Sequence, residues 1–421
     1  SPITAVTGKG YFLNTTAGVI TINLPAGAAG SIVSMADYAA TWQTNNVTVN
    51  ANGTEKIGGV GSAAVILSTE GQSVTLVYVD AAQGWVNTMD STSNVRGATF
   101  VAATVSGACN AIVTNGDYKT AVFKGPGTFC VSATATTAAN NKVDYFVVAG
   151  GGSAGGYYAA GAAGGFRVFS TAPGCNSPLN NSGASPNTEI TVTASPYAVT
   201  VGGGGTAGAC APGVGAYDGN QGSDSVFSTV TSTGGGFGVA SGPTVVGGPG
   251  GSGGSSGYFR PPAGQGVGNT PPVSPSQGNP GGRASYGTAG GGGGAGAVGG
   301  NGTCNGISDC SPHGGPQLGG DGGAGSYIAD PFIGPTAPSY GTPGPTGSTR
   351  YFAGGGGGGA CQAPAPNQAG AGGAGGGGTG QKYPGPFGVA QNATINTGGG
   401  GGGSGGGLGG SGIVMIRYKY Q

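Results

Sequence analysis

One residue in four is glycine, 103 in a chain of 421, against ~7% in ordinary globular proteins. The excess is uneven: residues 1–147 hold 16 glycines and the 274 residues that follow hold 87. Two regimes imply at least two modules. Ordering a residue costs roughly 1–2 kcal/mol of backbone entropy, most for glycine, and glycine buries no side chain to offset it. Ordered glycine runs must therefore be held by their own amides. A left-handed extended helix with three residues per turn and ~3.1 Å rise turns successive amides toward different neighbours, so rods bond laterally where no side chain blocks their approach. Runs recur at about 150–165, 202–208, 234–238, 247–257, 290–302, 314–325, 354–359, 370–380 and 398–412. That repetition, broken by Tyr, Phe and Pro, reads as a construction unit rather than a set of linkers. At this rise Gly398–Gly412 would form one rod of roughly 45 Å. Collagen is excluded, because glycine at every third position is not sustained beyond pieces such as GTPGPTG.

Residues 1–90 alternate apolar and polar positions in short runs such as GVITINLP, NVTVNANG and SVTLVYVD. Turn residues separate them, which predicts an all-β, sandwich-like module of some six strands with Tyr11, Trp42 and Trp85 at its core or rim. Residues 91–117 read as a small-residue connector. From 118 to 421, strands at YKTAVFKGPGTFCVS and KVDYFVVAG precede the glycine runs, and GIVMIRYKY closes the chain. The reading is a small β-framework carrying a glycine-rich domain of polyglycine II-type rods. Asp144–Val148 and Ile413–Tyr418 are expected in one sheet, since bracketing strands tend to lie side by side.

The stretch DYFVVAGGGSAGG places Gly150, Gly152 and Gly155 in a G-x-G-x-x-G after a strand. A dinucleotide site also needs a helix and an acidic residue about 20 positions on. Neither is present: glycine disfavours a helix there, and no Asp or Glu falls between Asp144 and Glu189. Thirteen basic residues balance thirteen acidic ones, so no basic footprint for nucleic acid exists. The longest apolar runs are far short of the ~20 residues of a membrane span. Ser1 without Met or a signal-peptide pattern reads as a processed form or part of a longer polypeptide. Seven cysteines include no C-x-x-C, and Cys304, Cys310 and His313 lack a fourth ligand, so neither metal nor cofactor is expected. In an oxidising compartment the local disulfides Cys109–Cys130 and Cys304–Cys310 are expected.

The pattern GYFLNTTAGVITINLP, TNNVTVNANG and SVTLVYVDAAQGW resembles a β-domain repeated in tail-fibre proteins of marine and other environmental bacteriophages. TAVFKGPGTFCVS, VDYFVVAGGG, YAVTVGGGG and GGSGIVMIRYKY resemble the glycine-rich C-terminal domain of many of the same proteins. A more distant likeness is to the polyglycine tail-tip adhesins of T-even phages. The resemblance implies a non-enzymatic fibre or fibre tip on the virion tail, outside the cell and commonly a homotrimer. Its partners would be other tail proteins and a host-surface glycan or outer-membrane protein. One histidine and few carboxylates leave little from which to build a hydrolytic site. The nearest acidic pairs are Asp218 with Asp224 and Asp321 with Asp330. The competing class is a secreted coat or filament protein that self-assembles without a receptor. Aromatic and guanidinium anchors between runs favour a binder: Tyr258, Phe259, Arg260, Tyr327, Phe332, Tyr351, Phe352, Tyr383 and Phe387.

Overall fold

The computed structural model describes residues 2–61, 64–91, 99–156, 158–174, 176–182, 189–208, 217–240, 246–257, 264–285, 287–304, 317–344, 349–360, 369–381, 390–404 and 406–421. The chain divides into two compact units, 1–97 and 98–421. Both are all-β. The described residues contain only a one-turn α-helix at Asp330–Ile333 and two short 3-10 turns besides strands.

In the first unit the chain alternates between two sheets. Ile3–Thr4, Ile20–Asn23 and Val47–Asn50 pair in parallel in one, and Lys9–Leu13 pairs in parallel with Ile32–Asp37 in the other. Alternating side chains from both sheets, among them Ile22, Val47, Val33, Met35 and Leu76, close over one core. Trp42 and Trp85 are fully buried in it. Each indole N–H is satisfied: Trp42 Nε1 donates to the Leu13 carbonyl (3.3 Å) and Trp85 Nε1 to Glu55 Oε2 (3.1 Å).

The expected connector, 91–117, is corrected. Ala102–Val105 pairs with Gly127–Ala133, and Ala111–Asn115 pairs with Tyr118–Phe123, so these residues open the second unit. The alanines of Ala102–Val105 carry little strand signal, so pairing decides their conformation, while Ile112, Val113 and Thr114 are β-branched and lead into the Asn115-Gly116 turn of a hairpin. The Cys109–Cys130 disulfide is corrected too: both cysteines are free. The antiparallel ladder sets Thr104 opposite Cys130 and Val105 opposite Phe129. Going on from Val105 therefore carries Cys109 away from Cys130. Cys310 lies outside the described residues, as does His313.

Ile413–Lys419 sits between Tyr118–Phe123 and Lys142–Val148, bonded antiparallel to both. The expected pairing with Asp144–Val148 is present, Val148 opposite Ile413 and Asp144 opposite Arg417. Its continuous apolar run follows from burial on both faces. Val414, Ile416 and Tyr418 join a core with Phe129, Tyr145 and Phe227, while Ile413 and Met415 join another with Phe146, Phe332 and Phe352.

One ion pair is buried in this ladder. Arg417 Nη1 donates to Asp144 Oδ2 at 2.6 Å, both side chains nearly inaccessible, and the guanidinium lies 3.6 Å from the Tyr118 ring centroid. Thr171 donates its hydroxyl (3.0 Å) and its amide (3.1 Å) to Asp144 Oδ1. Burial raises the Asp144 carboxyl above its ordinary value, outweighing the lowering by Arg417 and Thr171. A raised carboxyl contributes stability that is complete below its unfolded pKa, near 4, and is lost as pH rises through its folded value. Arg417→Met leaves the carboxylate without its cation and is expected to cost about 3–5 kcal/mol at pH 7. The loss should shrink as acid protonates Asp144; chemical denaturation at pH 7 and pH 4 measures it.

Candidate functional site: the free end of a glycine slab

Beyond the sheets, the glycine runs bond to one another through their backbones with a period of three. Gly150, Ser153 and Gly156 donate to Ser223, Asn220 and Tyr217; Gly151 and Ala154 donate to Gly410 and Gly407; Gly152 and Gly155 donate to Ala162 and Ala159. Partner numbers fall by three as donor numbers rise by three, so these neighbours run antiparallel. The carbonyls of Gly150, Gly151 and Gly152 accept from Gly235, Gly205 and Gly401. Three consecutive peptide groups thus reach six surrounding rods, the lateral bonding of polyglycine II. The rod 354–359 is enclosed in the same way, and one neighbour is parallel: Gly354, Gly357 and Ala360 donate to Gly375, Gly378 and Gln381.

Sequence follows position in this slab. The uninterrupted runs 290–294, 354–359 and 398–403 are buried throughout. A Cβ added at Gly355 would lie 2.0 Å from the Gly292 carbonyl oxygen, and one at Gly401 would lie 2.0 Å from that of Gly407. Peripheral rods instead carry exposed side chains, at every third residue in Leu318, Asp321 and Ala324, and at Asp218, Asn220, Gln221, Ser223 and Asp224 in the rod 217–224. Their carboxylates cap neighbouring rods. Asp218 accepts from the Ala240 amide (2.9 Å), Asp224 from Gly234 (2.8 Å) and Asp321 from Ala371 (2.7 Å). Asp218 and Asp224 stand two turns apart on one rod, roughly 19 Å at this rise. Gly398–Gly412 is not one long rod: it folds back near Ser404 and Gly406, both at positive φ, so that Gly410 donates to Gly399.

The rods all run between the same two ends of the slab. Rod 149–156 leaves the strand Lys142–Val148, and 159–165 returns into Phe166–Phe169; likewise 202–208 leaves Pro196–Thr200 and 217–224 returns into Ser225–Phe227. Rods 318–325 and 407–412 return into Ser326–Ala329 and Ile413–Lys419, and 353–360 leaves Thr349–Phe352. One end of the slab is therefore the β-framework and the other is free. The residues flanking 209–216, 241–245, 258–263, 305–316, 361–368 and 382–389 all lie at the free end. Gly257 donates to Val239 and Gly247 to Gly264; Thr303–Cys304 pairs with Gln317–Leu318; Ala360 donates to Gln381, and Gln381 to Gly403. Reversals at the framework end include tight turns, with Gly294 donating to Ala297 and Gly377 to Gly373, and one longer loop, 269–277, between the rods 264–268 and 278–285.

This polarity sorts the aromatic candidates. Tyr258, Phe259 and Arg260, and Tyr383 and Phe387, lie outside the described residues, in segments whose flanks are at the free end. The other four are corrected: they belong to the framework end and are not loop residues. Phe332 and Phe352 are buried in the core with Phe146, and Phe352 stacks edge-on against Phe146 at 4.8 Å. Tyr351 is 7% exposed in the strand Thr349–Phe352, and Tyr327, half-buried in the paired strand Ser326–Ala329, has its ring 5.3 Å from that of Tyr351. The Phe332 and Phe352 rings pack in one core with Ile413 and Met415 of the sheet and Ala163, Ala295 and Ala353 of the rods. Sequence reasoning passed over Tyr158 and Tyr217, half-buried at the free end, whose carbonyls accept from Gly359 (2.9 Å) and Gly156 (2.7 Å). Their position where a rod begins was the available signal.

An all-β framework with a backbone-bonded glycine slab defines the class. Residues 124–419, well over half of the chain, match the glycine-rich domain family, and the chain belongs to it. A comparison with curated proteins finds no match. No helix among the described residues is long and apolar enough to cross a membrane.

Proposed function

We propose that this protein is a non-enzymatic attachment protein, a virion tail fibre or fibre tip that works outside the cell and recognises a host-surface glycan or outer-membrane protein. One observation carries the reading: six connections between rods, 209–216, 241–245, 258–263, 305–316, 361–368 and 382–389, have both flanks at the free end of the slab. A base held by lateral backbone bonds keeps the flanks of those connections in fixed relative places, which lowers the ordering cost of binding. The sequence puts Tyr258, Phe259, Arg260, Tyr383 and Phe387 in them, and such side chains are the usual anchors of an interface. Association as a homotrimer and with other tail proteins belongs to the same proposal.

Replacing Tyr258, Phe259 and Arg260 together by Ala is expected to remove about 2 kcal/mol of adhesion, roughly 30-fold, without changing thermal unfolding. With zero formal net charge, adhesion should vary little with salt. Binding of labelled full-length protein to host cells measures both. Undiminished adsorption by the folded triple variant would eliminate this segment. A wild-type protein that self-assembles but decorates no cells would favour the structural-coat reading.

A further inference from the structure

A cleft of ≈ 420 Å³ opens at the framework end, away from the rod connections. Arg167 lies in it, on the strand Phe166–Phe169, whose Phe166 and Val168 face the core around Phe146. Glu189, Thr229 and Thr231 line the cleft, with Pro271 and Val273 as an apolar wall. That wall is pinned. Asn269 Oδ1 accepts from the amides of Val273 (3.1 Å) and Gln277 (3.2 Å), and the buried Gln277 side chain donates to the Pro271 carbonyl (3.1 Å) and accepts from the Thr233 amide (2.9 Å). The charges are unevenly matched. Glu189 pairs with Lys142 at 2.8 Å, whereas no hydrogen bond or ion pair joins the Arg167 side chain to another described residue. Burial lowers the Arg167 pKa from its ordinary value, as expected of a half-buried cation short of a counter-charge.

We propose that this cleft binds one acidic sugar unit, its carboxylate on Arg167, its hydroxyls on Glu189, Thr229 and Thr231, and its C–H face on Pro271 and Val273. A planar guanidinium matches a carboxylate with two parallel hydrogen bonds. Glu189 accepts from sugar hydroxyls but repels a second negative charge, which disfavours a phosphate dianion. The volume falls in the range of small-molecule sites, and the pinned wall needs little ordering on binding. The site is independent of the free-end recognition proposed above, since it shares no residue with it.

Titration calorimetry of the full-length protein with sodium glucuronate, glucose and sodium acetate tests the assignment. Saturable glucuronate binding is expected, at least tenfold tighter than glucose or acetate and weakened by added salt. Arg167→Gln should reduce it at least tenfold, and Arg167→Lys, which keeps the charge but loses the planar fork, several-fold. Absence of saturable glucuronate binding, glucose binding equally well, or unchanged binding in the folded Arg167→Lys variant would each overturn the site.

Discussion

Removing Ile413–Gln421 is expected to unfold residues 98–421 and leave residues 1–97 folded. The deleted strand is central in its sheet, laddered on one side to Tyr118–Phe123 and on the other to Lys142–Val148. Ile413, Val414, Met415, Ile416 and Tyr418 are each at most 1% exposed, and burying such a side chain contributes about 1.5–3 kcal/mol. Their combined loss approaches or exceeds the ~5–15 kcal/mol by which a domain is stable. The deletion also takes Arg417 from the buried Asp144 and detaches the rod 407–412 that feeds the strand. Limited proteolysis with mass spectrometry is the check. A single resistant fragment ending near residue 97 is expected, and a distal half that stayed resistant would contradict the closing role of this strand.

How much of this was legible depended on whether a residue had a side chain to leave a pattern. Trp42 and Trp85 stood out as large aromatics within the module of alternating runs, and IVMI read as a strand because burial on both faces leaves its apolar run unbroken. Ala102–Val105 was missed because its alanines barely distinguish a strand from a connector, whereas Ile112, Val113 and Thr114 before Asn115-Gly116 carried a hairpin signal that the reading of 91–117 as one connector passed over. Tyr327, Phe332, Tyr351 and Phe352 were misplaced for a different reason. The sequence showed that they interrupt glycine runs, but not at which end of the slab. That polarity is set by lateral bonds between residues as distant as Gly151 and Gly410, and glycine leaves no record of such partners. One signal was available: the LGGDGGA triplets at 318–324 mark a peripheral rod exposing every third residue, whereas unbroken glycine at 354–359 marks an enclosed one.

The central claim is that the glycine runs are ordered rods whose positions, rather than their flexibility, demand glycine. Two alanine substitutions separate these ideas. At Gly356, inside the enclosed rod, a Cβ would lie 2.1 Å from the Gly401 carbonyl oxygen, with the Gly161 oxygen at 3.0 Å. Both obstacles are backbone in neighbouring rods, so relief requires displacing the lattice, and the cost should be about 3 kcal/mol or more. At Gly203, in a peripheral rod, a Cβ would meet nothing within 4 Å and φ is not positive. There alanine should stabilise by ~0.4–1 kcal/mol, because it restricts the unfolded chain. Thermal unfolding of the two variants beside the wild type is therefore the deciding measurement. The slab predicts opposite shifts, with Gly356→Ala lowering the melting temperature of the second unit by roughly 5–10 °C and Gly203→Ala leaving it unchanged or slightly raised. Small shifts of the same sign at both positions would mean that these runs are flexible linkers, and would contradict the account.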